Sequence, residues 1–183
     1  MTNTKDKLIE AEYFLERMFS VQSERDAFRY NLSAFLSAAR SVTLFMQKEF
    51  GKLLDFKDWY DNKKYKMQND PEFKLLNEKR VMTIHKKPVK PSAHIKGTAK
   101  VSIGISVSAS AVVTRANGTV EKIGPEPKPE PKSVPAKTEA TVEWQWYFSE
   151  IRDKDVVTIC KEHIRKLEDL VEECESRFLP KQR

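Results

Sequence analysis

In the stretch EKRVMTIHKKPVKP, residues 78–91, Arg80 and His85 stand five positions apart, just ahead of Pro88 and Pro91. An arginine and a histidine together suit cleavage of a phosphodiester. The imidazole, with an unperturbed pKa near 6.5, can exchange a proton with an attacking 2′-hydroxyl or a leaving oxygen. The guanidinium offers a fixed, two-pronged cation to the phosphate charge that grows in the transition state. No metal is needed for that reaction. On a regular helix five positions amount to about 500°, which leaves the two side chains about 140° apart. They converge if the helix loosens before His85, as the nearby prolines allow, or if a second protomer supplies the partner. R-x4-H is a weak pattern by itself. The plainer reading is an arginine that salt-bridges within a bundle and a histidine that ends its helix.

The charge is concentrated around this motif. Residues 48–100 carry 14 Lys/Arg against 7 Asp/Glu, while the other residues carry 19 against 20. Phe56, Trp59, Tyr60, Tyr65 and Phe73 interleave with the cations, a composition compatible with a nucleic-acid surface and also with a solvated basic face. Other chemistries lack their residues. No GxGxxG or GxxxxGK[ST] loop is present, and no HExxH or Cys/His cluster has metal-ligand spacing, so neither cofactor nor metal is expected. Cys160 and Cys174 fall in one helical segment, about 21 Å of rise apart, and read as small buried hydrophobes. No apolar run reaches the roughly 18 residues of a membrane span, and MTNTKDKLIE lacks the apolar core of a secretory signal. The expectation is a soluble, cytoplasmic protein that does not enter a membrane.

The elements that must position Arg80 and His85 are mostly helical. Residues 5–19 place Leu8, Ala11, Leu15 and Met18 at helical spacing, and Ser23 is a candidate N-cap for a long helix over 24–49. That helix has one face of Ala27, Tyr30, Ala34, Ala38 and Ser41, small enough for close approach of a helix or protomer. Leu32, Phe35, Ala39, Val42 and Met46 form an adjacent stripe. Gly51 ends it. A short helix from Asp55 carries Phe56, Trp59 and Tyr60 on its sticky face. Asn-Asp-Pro at 69–71 restarts a helix with Pro71 in its first turn, and Phe73, Leu76, Arg80 and Ile84 lie along one line of it.

After Pro91 the period changes from 3.6 to 2. Residues 100–114 alternate, with Val101, Ile103, Ile105, Val107, Ala109, Ala111 and Val113 on the expected buried face. Asn117-Gly118 signals a hairpin. The proline- and charge-rich run at about 124–137 reads as an extended, mobile arm. Val142, Trp144 and Trp146 alternate on the last strand. The last segment, 153–178, is again helical, with Val156, Ile159, His163, Leu167, Leu170 and Cys174 as its stripe; His163 reads as a satisfied core histidine. His94 has no evident partner. The expected division is therefore a helical bundle of 1–93 and 148–183, interrupted by a β-rich insertion of 94–147.

The N-terminal stretches AEYFLERM and RDAFRYNLSAFLSAARSVTLFMQKEF, followed by Arg80, His85 and Pro88 late in a helix, resemble the HEPN superfamily over residues 5–91 and 148–178. The resemblance implies a mainly α, up-and-down bundle of four or five helices, to which the small antiparallel β-hairpin insertion is foreign. It further implies a homodimer whose two R-x4–6-H motifs face one another, and a metal-independent endoribonuclease of toxin–antitoxin, defence or RNA-processing type. Arg80 would then bind the scissile phosphate and His85 would move a proton. Lys79, Lys86, Lys87 and Lys90 would contact RNA. The family usually carries a polar residue, often Asn, after the arginine, where this chain has Val81. That departure favours a non-catalytic, RNA-associated or interaction module. In the interaction reading the insertion docks a protein partner, such as an antitoxin, through Trp144 and Trp146, and deleting 94–147 leaves the bundle folded.

Overall fold

The computed structural model describes residues 1–101, 111–115, 117–123 and 138–180. Five helices are present among them: α1 (Asn3–Ser20), α2 (Arg25–Phe50), α3 (Phe56–Asn69), α4 (Pro71–His85) and α5 (Val156–Phe178). The strands are β1 (Ser92–Val101), β2 (Ala111–Thr114), β3 (Val120–Ile123) and β4 (Thr138–Tyr147). The chain divides into a helical unit, Met1–Ile95 with Trp144–Arg183, and a β unit, Lys96–Glu143. No helix is long and apolar enough to cross a membrane.

Local chemistry accounts for the helix boundaries. Thr2 caps α1, accepting from the Lys5 N–H; the N-cap position of α2 is Glu24, one residue after the expected Ser23, and it makes no side-chain cap bond. Asp70 caps α4 by accepting from the N–H groups of Glu72 (2.9 Å) and Phe73 (3.1 Å), with Pro71 in the first turn. Asp155 caps α5 in the same way. Carboxylates at these N-termini also meet the positive end of the helix dipole. Gly51 does terminate α2, but in right-handed helical backbone; the left-handed residue of that turn is Asp55, at φ 61°.

The core of the helical unit follows the stripes. Phe28, Leu32, Phe35, Val42 and Met46 of α2 are buried, as are Phe56, Trp59 and Tyr60 of α3 and the whole expected stripe of α5. Tyr30 is exposed, so the small-residue face of α2 is only partly covered. Trp146, expected on a face of the insertion, lies instead at the centre of this core. Its ring stacks on Phe28 at 4.5 Å and 9°, and its indole N–H donates to the Gln22 carbonyl at 3.0 Å. Its backbone N–H donates to Asp155 (2.8 Å), the residue that caps α5. One residue thus ties the α1–α2 turn to the start of α5. Phe148 is buried beside it in sequence, so the insertion ends at Glu143 and a deletion that spares the bundle must stop short of Trp144.

In the β unit, β2 pairs antiparallel with β3 in the register Thr114↔Val120 to Ala111↔Ile123. Asn117-Gly118 makes the turn, with Gly118 at φ 81° and the Asn117 side chain accepting from the Thr119 N–H. β1 pairs with β4 in a second two-stranded sheet. Of the expected strand over 100–114, residues 100–101 end β1 and 111–114 form β2; residues 102–110 and the arm at 124–137 lie outside the described residues. Val113, expected to be buried, is exposed among the described residues, as is Val112 on the opposite face of the two-stranded hairpin.

The Trp146 anchor is open to measurement. Trp146→Ala should cost about 3–5 kcal/mol in urea unfolding, the range for loss of a large buried aromatic. Trp146→Phe should cost less, since it keeps an aromatic ring against Phe28 and loses the indole hydrogen bond and part of the buried ring volume.

Candidate anion-binding site

Helix α4 presents the sequence motif, and its rotation is fixed at both ends. At the N-terminal end, Lys166 of α5 holds Asp70 (2.6 Å) and Glu72 (2.8 Å), while Lys154 bridges Glu72 and Glu162. Burial alone would raise the carboxyl pKa values of Asp70 and Glu72; hydrogen bonds from the lysines, and at Asp70 from backbone N–H groups, outweigh it and hold both below the ordinary range. Further along, Lys79 is 5% exposed. Its ammonium donates to Glu150 at 2.6 Å and lies 5.1 Å from the centre of the Phe148 ring. Lys79, expected to contact RNA, is therefore an internal anchor: its charge is buried, paired and covered by an aromatic face.

The helix continues regularly through His85, and the Lys86 N–H still donates to the Met82 carbonyl at 2.9 Å. The prolines do not loosen it early. Arg80 and His85 consequently stay on different faces. His85 ends α4 and is exposed, together with Lys86, Lys87 and Lys90; Val81 and Ile84 are also exposed. Arg80 is half-buried and lines a cavity with residues of α2, α3 and α5. No single chain brings the two motif residues together.

The cavity encloses about 330 Å³. Phe35, Leu36, Phe73, Leu76 and Leu167 give it an apolar interior, while Arg40, Lys64, Lys74 and Arg80 are its charged residues; no carboxylate lines it among the described residues. None of these four cations forms an ion pair among the described residues. Arg40 donates to the Thr43 hydroxyl at 2.7 Å, which directs its guanidinium along α2. Tyr60 closes this side, and burial pushes its phenol above the usual pKa, keeping it a neutral hydrogen-bonding group.

His163 forms part of the lining from α5. It is 6% exposed, its ring 4.3 Å from Phe73 and 6.4 Å from Phe35. The expectation of a buried histidine holds, but not of a satisfied one, because Nδ1 is buried without a hydrogen-bond partner among the described residues. Burial, then the Lys166 charge, lowers its pKa to about 4, against the opposing pull of Asp70 and Glu72. The cavity itself, with Arg40, Lys64 and Lys74, was not visible in the sequence; only the place of Lys64 and Lys74 in the basic stretch, and of Arg40 on the long second helix, was.

The remaining expected residues have structural roles. Trp144 is half-buried and packs 6.3 Å from the enclosed Trp146, so the tryptophan pair offers no exposed aromatic face to a partner. His94 has a neighbour after all, the edge of Tyr147 at 4.9 Å. Cys160 and Cys174 are buried and unpaired; burial raises both thiol pKa values, Cys174 to about 12, which keeps them protonated and unreactive. No cluster of His, Cys, Asp and Glu suited to a metal occurs among the described residues.

The sequence model of a family described as bacteriophage lambda protein ea47 matches residues 4–103, more than half of the chain. Those residues include α1 through α4 almost entire, and with them all the cations of the cavity. No curated protein and no solved structure matches the chain.

The buried histidine makes stability pH-dependent in a defined direction. A folded pKa of about 4 against 6.5 unfolded means that the unfolded chain binds the extra proton first. His163 therefore contributes no penalty above pH 6.5 and a growing one as pH falls from 6.5 to 4, about 3 kcal/mol when complete. In urea titrations, His163→Leu should flatten the stability slope between pH 6.5 and 5. An unchanged slope would assign it to other groups.

Proposed function

The chain belongs to the bacteriophage lambda protein ea47 family, and we propose that it is a non-catalytic, RNA-associated helical module of HEPN-like type acting as a homodimer. The observation that carries this reading is the unbroken α4 helix, which separates Arg80 from His85 while leaving cations without ion-pair partners on both sides of its C-terminal half. Binding a phosphate needs only the cations. Cutting it needs a proton-transfer group matched to neutral pH against the same phosphate, and the histidine that shares the Arg80 cavity, His163, is buried with its pKa lowered to about 4. The order of the helices, with R-x4-H late in the fourth and a long fifth helix after the insertion, supports the HEPN-like reading. Val81, an exposed apolar residue where a polar one would assist, agrees with loss of catalysis. Lys86, Lys87 and Lys90 are the RNA contacts of this reading; Lys79 is withdrawn from that role by its burial.

RNA binding followed over a range of salt tests the proposal. Each phosphate contact to a single strand contributes about 0.7 to the slope of log affinity against log salt. The triple variant Lys86→Ala, Lys87→Ala, Lys90→Ala should lower the affinity and reduce the slope by about 2, with stability unchanged. Lys79→Ala should do the reverse, lowering stability without changing the slope. Wild-type slopes unaffected by the triple variant would reject the RNA surface. EDTA-resistant RNA cleavage lost in both Arg80→Ala and His85→Ala would replace the binding reading with a ribonuclease assembled across a dimer.

A further inference from the structure

We propose that the cavity between α2, α3, α4 and α5 is a binding site for a small amphipathic organic anion, with an aromatic or aliphatic body inside and an acidic head at Arg40 and Arg80. This inference does not rest on the RNA reading. It rests on three features of one cavity that opens to solvent on one side.

The first is its chemistry. About 330 Å³ lies within the range of small-molecule sites, where an apolar wall and a few polar groups together set orientation. Phe35, Phe73 and Leu167 supply flat and aliphatic surface. A long polyanion could touch the mouth but could not fill this interior. An inorganic ion would leave the apolar wall without a partner.

The second is charge. Four cations around one cavity repel one another, and no lining carboxylate offsets them among the described residues. Folding without that offset is tolerated because Arg40, Lys64 and Lys74 are exposed to water. Arg80 is half-buried, so an anion against it gains more from partial exclusion of water. Arginine presents two parallel N–H donors to a carboxylate or phosphate, which fixes the head group in orientation as well as in place. Arg40, already directed by Thr43, can share the same head group.

The third is His163. Its ring is buried and lines this cavity beside Phe73, at 4.3 Å. The neutral imidazole suits an uncharged partner there, which places the acidic head at the arginines and the apolar or weakly polar body at the histidine.

Isothermal titration of the full chain with 2-naphthoate, its neutral analogue 2-naphthalenemethanol and inorganic phosphate tests the assignment. The expected result is saturable, one-to-one heat with 2-naphthoate, and binding of both other probes about tenfold weaker or more. Arg40→Gln and Arg80→Gln should each lower naphthoate affinity by about tenfold without weakening naphthalenemethanol. Arg40 is exposed and Arg80 half-buried, and neither forms an ion pair among the described residues, so thermal unfolding should confirm an intact fold. The imidazole ¹⁵N resonances of His163 should move on saturation while those of His85 and His94 stay in place. Absence of saturable naphthoate binding, equal affinity for the neutral analogue, or unaltered affinity in both arginine variants would overturn the proposal. Binding of RNA by a chain that ignores naphthoate would leave the RNA reading standing and remove this one.

Discussion

The buried ammonium of Lys79 sets the rotation of α4. An unpaired charge in that position would cost several kcal/mol, so the helix can pack only with Lys79 turned toward Glu150 and Phe148. Successive residues advance about 100°, so Arg80 must then point about 100° away, and His85 about 240°. Lys79, Arg80 and His85 therefore take three separate faces: the interior, the cavity and the solvent. Glu150 answers the constraint from its own side. The hydrogen bond from Lys79, which outweighs the effect of burial, holds its carboxyl below the usual range and keeps the pair ionised. The ion pairs of Asp70 and Glu72 with Lys166 then fix the other end of α4 against α5, and with it the cavity that the two helices share with α2 and α3.

The elements were legible in the sequence wherever the signal was local. Asp70-Pro71 and Asp155 each carry both a cap and a helix start within three residues. The stripe on α5 needs only its own spacing, and Asn117-Gly118 needs only a turn with positive φ. What sequence could not supply was the partner at long range. Lys79 reads as a surface residue because its carboxylate is 71 positions away. Trp146 alternates with Trp144 as a strand should, yet the ring it stacks on and the carbonyl it donates to belong to the start of α2 and the turn before it. Burial of His163 was readable from its stripe; the missing partner of Nδ1 was not, since it depends on where other chains of atoms stop. A cavity is likewise a property of gaps between helices, and its four cations come from three of them.

The distribution of histidines limits the chemistry this chain can perform alone. General acid–base catalysis near neutral pH works best with a group whose pKa lies near the pH at which it operates. The imidazole near the cavity cations is His163, and its pKa of about 4 makes it a weak base there; protonating it would bury a charge among Phe35, Phe73 and the already cationic wall. It can accept or donate a hydrogen bond without changing charge. His85 is exposed to solvent, and its own helix turns it away from Arg80 and the cavity. Arg80 and His85 thus stand at different places on one chain. Within that chain the cavity sets its cations beside an apolar wall and a buried imidazole, so a group held at Arg80 would meet His85 only from a second chain.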